Sequence, residues 1–167
     1  MKRILLVLCA AALLLCAQSV FAQKKKPRYG KVCGDPAVKC KFAEGFQSYD
    51  LPFDEGKNYT IAESEQFYGI VLKSVKLKDF GDCENPSFKE EERVEIQGMF
   101  EHNKVFMQNC VQSASIYYTG VPDYSAFIGV YAGRTLAEAN KFLKSVQETG
   151  KFPGIKIRKM RANMNGT

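Results

Sequence analysis

Residues 127–150 have the sequence FIGVYAGRTLAEANKFLKSVQETG, in which a β-forming run leads directly into a helix pattern. The opening apolar and glycine residues predict a strand over 127–132. Thr135 and Glu138 have the spacing of a capping box, in which two side chains satisfy the free backbone N–H groups at a helix start. An apolar stripe at helical intervals follows, formed by Leu136, Ala139, Leu143 and Val146. Gly150 suits the residue that follows a helix end, so the stretch predicts a strand and then an amphipathic helix.

Similar patterns on both sides of this stretch predict further strands and an earlier helix. The strand predictions rest on β-forming runs at 67–72, 104–108 and 155–158, with a further short run at 115–118. Ser87 and Glu90 have capping-box spacing and favour a helix from about Phe88, although the alternation over residues 93–100 is also typical of a strand.

The order of these elements over residues 66–160 is β-α-β-β-α-β, which defines a fold class. We expect an α+β, ferredoxin-like domain with a four-stranded antiparallel sheet. Two helices would cover one face of this sheet, and the other face would be open. An irregular segment with cysteines and aromatic residues, 33–65, precedes this domain, and residues 161–167 are expected to form a tail.

The first 22 residues have the pattern of a secretory signal peptide. Two basic residues precede the apolar run 4–17, and Ala22 offers a cleavage position before Gln23. The run is shorter than the roughly 20 apolar residues that a membrane-spanning helix needs. A lipoprotein attached at Cys16 is less favoured because bulky Leu15 precedes it. We therefore expect a periplasmic or secreted protein with no transmembrane segment in its mature chain.

The composition argues against an enzyme and against a cofactor or metal site. The chain of 167 residues has a single histidine, His102, and no nucleophile can be assigned beside it. The cysteines lack the paired C-x-x-C spacing of a zinc site, and the acidic residues 90–95 lack a calcium-loop pattern. The basic leader at 23–32 suits an anionic surface, but export disfavours nucleic acid as a partner.

Four cysteines remain after the signal peptide: Cys33, Cys40, Cys83 and Cys110. An even number in an exported chain suggests two disulfides, for which three pairings exist. Right-handed crossovers bring the ends of the first and second predicted strands to the same edge of the sheet. The topology therefore predicts a Cys83–Cys110 disulfide, and sequence proximity leaves Cys33–Cys40 as the second.

Residues 127–135, then Ala139, Leu143, Gly150 and the strand 155–160, resemble a SPOR domain. SPOR (sporulation-related) domains are modules of the bacterial cell envelope that bind peptidoglycan glycan strands stripped of their stem peptides. The resemblance is best over residues 127–160, and the order of elements in the family fits residues 66–160. It implies a non-enzymatic module whose partner is the peptidoglycan glycan strand.

The predicted open face supplies a candidate glycan site. If alternate residues of the strand 127–132 face the helices, its remaining side chains face the open side, beside those of the first strand. The candidate residues on this face or near its edge are Phe127, Gly129, Tyr131, Val71, Lys73 and Arg158. Aromatic side chains suit the apolar faces of sugar rings. In the alternative interpretation residues 33–65 cover this face, and the chain is a secreted interaction or inhibitor module with an envelope protein as its partner.

Overall fold

A computed structural model describes residues 39–40, 45–47, 50–55, 61–110 and 116–165. The predicted signal peptide, the basic leader and Cys33 lie outside these residues. The described part contains seven strands and two helices. Their bounds are β1 Phe53–Glu55, β2 Ile61–Ser64, β3 Phe67–Lys76, α1 Glu90–Met99, β4 Val105–Gln108, β5 Ile116–Thr119, β6 Ser125–Gly133, α2 Leu136–Glu148 and β7 Lys156–Asn165.

All strands join one antiparallel sheet in the order β1-β2-β7-β3-β6-β4, with β5 also paired to β7. The long strand β7 pairs with β3 through its first half and lies between β2 and β5 through its second half. The sheet curls until β4 approaches β5, where the backbone N–H of Tyr118 donates to Oε1 of Gln108 at 3.0 Å. The side-chain amide Nε2 of Gln108 donates to the backbone carbonyl of Ser125 at 3.1 Å, which holds the Gln108 side chain in place for its bond to Tyr118. The result is a half-barrel.

The predicted four-stranded ferredoxin-like sheet is therefore wrong. Strands β1, β2 and β5 extend the sheet beyond the four predicted strands, and β7 continues to Asn165, into residues expected to form a tail. The added length lets the sheet curl around its own side chains, so that the described strands leave no flat open face. Ala162 is completely buried within this continuation, because it packs in the core on the concave side.

The concave side holds a core built mainly of aromatic rings. Its buried members include Phe46, Leu51, Phe53, Phe67, Phe106, Tyr118, Phe127, Tyr131 and Met160. Phe46 belongs to none of the strands, yet its ring lies 5.0 Å from those of both Phe67 and Phe106. Offset and edge-to-face aromatic pairs at such separations contribute beyond simple burial.

Both helices pack on the convex side against a second, mostly aliphatic core. Its buried members include Ile70, Leu72, Ile96, Val105, Ile128, Val130, Ala139 and Val146. Residues 93–99, where alternation also allowed a strand, are helical within α1. The predicted Ser87–Glu90 capping box is absent, because Lys89 is the N-cap residue and has no side-chain cap bond. Glu90 instead accepts a hydrogen bond from Nε of the buried Arg93 at 2.8 Å.

The predicted disulfide between Cys83 and Cys110 is confirmed. It joins the loop after β3 to the residues after β4, with the two Cα atoms 5.5 Å apart. Strands β3 and β4 both run antiparallel to β6, so they are parallel to each other and end at the same edge. The Cys33–Cys40 pairing stays a prediction, because Cys33 lies outside the described residues. Cys40 is buried, and its backbone N–H donates to the carbonyl of Glu101 at 2.8 Å.

The predicted capping box at the start of α2 is confirmed. The hydroxyl of Thr135 accepts from the backbone N–H of Glu138 at 3.2 Å, and Oε2 of Glu138 accepts from the N–H of Thr135 at 2.9 Å. A further bond at 2.8 Å comes from the N–H of Arg134. The hydrogen bond from the Thr135 backbone is the main cause that lowers the pKa of the Glu138 carboxyl from its ordinary value.

Replacing Thr135 with alanine is expected to lower the free energy of unfolding by about 1 kcal/mol, because one N–H at the helix start loses its acceptor. Urea unfolding at pH 7 followed by circular dichroism measures the change. Thr135→Ser is the matched control, since it keeps the hydroxyl and should stay close to the wild type. Equal losses in the two variants would contradict the capping role.

A pH series tests the contribution of the Glu138 carboxylate to the same capping box. Because the pKa of Glu138 is lowered in the folded chain, its ionised form stabilises the fold above the unfolded pKa, near the ordinary value of 4.5. That contribution is lost as the pH falls through the lower, folded pKa. The stability difference between the wild type and Glu138→Gln should therefore be full at pH 7 and shrink at acid pH. A difference that grows at acid pH would contradict it.

Candidate functional site

The sheet face predicted to bind glycan is covered. Phe127 is 1% exposed and Tyr131 is 3% exposed, and both point into the concave core. Part of the cover comes from residues 45–47 and 50–53, here called the covering segment, through Phe46, Leu51 and Phe53. Tyr118 of β5 packs against Phe127, with ring centroids 5.6 Å apart. The ring of Phe46 lies 6.1 Å from that of Tyr131. Neither aromatic side chain is therefore available to stack on a sugar ring.

Gly129 serves this core rather than the approach of a ligand. A Cβ atom at this position would lie 2.9 Å from Cζ of Phe106, closer than real Cβ atoms come to such a neighbour. Gly69 on β3 faces the same ring, since its Cβ would lie 3.1 Å from that atom and 2.8 Å from Sδ of Met160. The two glycines make room for Phe106 at the centre of the half-barrel.

The feature that remains open is one end of β3. Strand β7 begins at Lys156, which pairs with Val71, whereas β3 continues to Lys76. On its other side β3 stays paired with β6 as far as Lys76 and Ser125. Within the described residues no strand therefore lies on the β7 side of the stretch Leu72–Lys76.

A groove of about 660 Å³ follows this free strand edge. We call it the β3 groove. It is lined by Val71–Val75, Phe88, Pro122, Pro153, Lys156 and Arg158, among others. Four of the six candidate site residues border it, namely Val71, Lys73, Phe127 and Arg158. Gly129 and Tyr131 do not.

Lys73 departs from the alternation that placed it beside Val71. The pairing between β3 and β6 shifts register between Val71 and Lys73, which is the signature of a β-bulge. The bulge turns Lys73 toward α1, where its ammonium lies 2.5 Å from a carboxylate oxygen of Glu92. Because the residues on either side of a bulge lose strict alternation, the predicted position of Lys73 on the concave face is not observed.

The groove has a basic wall on the β7 side. Lys156 is exposed and Arg158 is half-buried, and neither forms an ion pair with another described residue. Lys76, at the end of β3, is also exposed. Apolar side chains also line the groove, including Val75, which is 43% exposed. A ligand that combines apolar groups with negative charge therefore matches this wall.

A smaller groove of about 400 Å³ lies beside β5. Phe80 and Tyr124 line it and are 43% and 46% exposed, with their rings 5.5 Å apart in an edge-to-face contact. Tyr124 has a positive φ of 52°, a conformation that non-glycine residues seldom adopt. Asp123 gives this groove one carboxylate, so its chemistry differs from that of the basic β3 groove.

The turn that contains His102 contacts Lys39 and Cys40 through Glu101. His102 lies in the turn between α1 and β4. The carboxylate of Glu101 bonds the ammonium of Lys39 at 2.7 Å, and this bond is the main cause that lowers the pKa of Glu101.

Among the described residues no group of three or more His, Cys, Asp or Glu side chains could hold a metal ion. In the same residues no helix is both long and apolar enough to cross a membrane.

Comparison of the chain with protein-family models, with curated proteins and with solved structures gives no match. The resemblance to SPOR domains therefore stays a prediction based on residues 127–160. A function has to be inferred from the surfaces of this chain itself. Among the surfaces of the described residues, the β3 groove combines volume, charge and an unpaired strand edge.

Proposed function

We propose that this chain is an exported, non-enzymatic module that binds another polypeptide in the β3 groove. The observation that carries the proposal is the edge of β3 over Leu72–Lys76, which no strand of the described residues pairs and which lies in a groove with a basic wall. An edge strand presents backbone N–H and C=O groups in a row, and natural proteins usually cover or blunt such an edge. A polypeptide can satisfy these groups with its own backbone.

The state of the aromatic side chains favours a polypeptide over a glycan strand as the ligand. Sugar recognition on a sheet face needs aromatic rings that a sugar ring can reach, and Phe127 and Tyr131 are buried, beside Tyr118 and Phe46 respectively. The groove has proline and aliphatic side chains on its walls, among them Pro122, Pro153 and Val75. Such walls suit the side chains of a peptide.

The proposed location is the periplasm or the cell exterior. The apolar run 4–17 and the cleavage position after Ala22 support export. The Cys83–Cys110 disulfide is compatible with an oxidising compartment. The partner would then be another envelope or secreted protein with an accessible extended segment.

A library of random linear dodecapeptides displayed on phage, selected on the mature chain 23–167, tests the proposal. Bound peptides should shift the amide NMR signals of Val71–Val75 and of Lys156–Arg158 in the isotope-labelled chain. Selection of no peptide would overturn the proposal. So would peptides that shift only signals elsewhere, such as those around Phe80 and Tyr124.

Co-sedimentation with purified sacculi stripped of stem peptides tests the competing glycan ligand. The folded mature chain is expected to stay in the supernatant at low salt, because its aromatic face is covered. Retention on the sacculi that free glycan strands compete away would favour the glycan ligand and overturn the proposal. Intact sacculi that carry their stem peptides serve as the matched control.

A further inference from the structure

Building on the proposed function, we infer that the ligand is an acidic, extended segment that adds to β3 as a further antiparallel or parallel strand. The inference names both the binding mode and the chemistry of the partner. The site is the stretch Leu72–Lys76 together with Lys156 and Arg158 on the wall of the β3 groove.

The register of β7 shows where the added strand would lie. Strand β7 pairs with the outer side of β3 only from Phe67 to Val71. Its first residue, Lys156, lies opposite Val71, and the chain before it turns away from β3 at Pro153–Gly154. A ligand strand beyond this point would continue the line of β7 along β3. Five residues of edge at about 3.3 Å per residue give roughly 17 Å of pairing, the length of an ordinary short strand.

The start of β7 leaves room for that strand. Gly154 has a positive φ of 72°, and a Cβ atom built on it would meet no other atom within 4 Å. Both Pro153 and Gly154 are exposed on the groove wall. The space beside Gly154, close to the point where β7 begins to pair with β3, is therefore open.

The side chains along the free edge favour a ligand in which apolar and polar side chains alternate. Leu72 is 4% exposed and anchored in the convex core, whereas the four residues after it are exposed. Val75 can therefore gain an apolar neighbour on an added strand, and cross-strand apolar pairs stabilise sheets. The backbone groups of the same edge can form hydrogen bonds with a ligand strand of any sequence. Side chains at alternate positions of the ligand therefore set the specificity.

Charge excludes the basic leader of this chain as the occupant and selects an acidic one. The leader at 23–32 includes Lys24, Lys25, Lys26, Arg28 and Lys31. These residues would repel Lys156 and Arg158 on the groove wall. Carboxylates on the ligand would instead pair with these cations, and complementary charge speeds association and suppresses wrong partners.

Backbone methylation of a selected peptide tests strand addition. Two versions of the peptide carry N-methyl groups on alternate residues, in the even or in the odd positions. Only one edge of an added strand faces β3, so one version should lose at least about tenfold in affinity and the other should bind nearly as well as the parent. Fluorescence anisotropy with the labelled peptides measures the affinities.

Charge reversal tests the acidic ligand. The double variant Lys156→Glu, Arg158→Glu should bind the selected peptides at least about tenfold more weakly, and the affinity of the wild type should fall with added salt. The matched control is Lys141→Glu, Lys144→Glu, which reverses two exposed charges on α2 and should leave binding unchanged.

The outcomes separate this inference from the proposed function. If both methylated peptides bind and the NMR signals of the groove still shift, strand addition is wrong while groove binding stands. If the Lys156 and Arg158 reversal leaves the affinity unchanged, the acidic character of the ligand is wrong. If no selected peptide shifts the groove signals, the proposed function itself fails.

Discussion

Replacing Phe46 with alanine is expected to lower the free energy of unfolding by about 3–5 kcal/mol. Phe46 is completely buried, and its ring contacts those of Phe67, Phe106, Tyr118 and Tyr131 at centroid distances of 5.0 to 6.3 Å. The substitution removes a ring from the middle of this cluster and leaves a cavity that the rigid sheet cannot close. Urea unfolding followed by circular dichroism measures the loss, since the chain has no tryptophan.

Phe80→Ala is the matched control, because it deletes the same ring from a side chain that is 43% exposed. Its expected cost is below about 1 kcal/mol. If both variants lost equal stability, the covering segment would not be packed on the concave face. Phe127 and Tyr131 would then be accessible, and glycan binding on that face would again be possible.

Local patterns predicted both described helices and the strands in the middle of the sheet. The capping box of α2 is the clearest case, because Thr135, Glu138 and the N–H groups they bond lie within four residues of each other. The disulfide followed from the order of elements, since it needed only that the ends of β3 and β4 meet at one edge. Features that depend on neighbours in sequence, or on chain direction, can be derived without knowing the tertiary structure.

Strands β1 and β2 could not be predicted, because long-range pairing creates them, whereas β5 coincides with the short β-forming run at 115–118. Strands β1 and β2 have three and four residues, too few for a periodic pattern. The junction before β3 depends on Ser64, whose hydroxyl accepts from the backbone N–H of Ala162 at 2.9 Å. Buried polar residues such as Asn163, 5% exposed, made the last part of β7 look solvated. Tertiary contacts overrode local composition at these positions.

The candidate site was only partly predictable for a related reason. The alternation placed Phe127 and Tyr131 on the concave face as expected, but distant parts of the chain cover them, since Phe46 packs against Tyr131 and Tyr118 packs against Phe127. A bulge after Val71 removed Lys73 from that face. The β3 groove exists because β3 extends beyond the residue at which β7 begins, and a difference in strand length becomes visible only once the register is known.

A buried ion pair holds the covering segment against β4. The side chain of Lys104 is completely buried and that of Asp50 is 5% exposed, with Nζ and Oδ2 3.4 Å apart. Oδ2 of Asp50 also accepts from the backbone N–H of Gln47 at 3.1 Å, so one carboxylate orders the segment and pairs with the sheet. The carbonyl of Lys104 in turn accepts from the N–H of Tyr131 at 2.8 Å.

Asp50→Asn is expected to lower the free energy of unfolding by about 3–5 kcal/mol, because it removes the carboxylate charge that lies 3.4 Å from the buried Lys104 ammonium. The asparagine side chain keeps an acceptor for the backbone N–H of Gln47, so the loss of stability reports the charge rather than the turn.

Adding Lys104→Met removes the buried positive charge and keeps most of the side-chain volume. The double variant should therefore be more stable than Asp50→Asn alone, which urea unfolding of all four chains in the cycle measures. Losses that simply add would show that the two charges are not coupled, and the covering segment would then depend on Phe46 and its apolar neighbours alone.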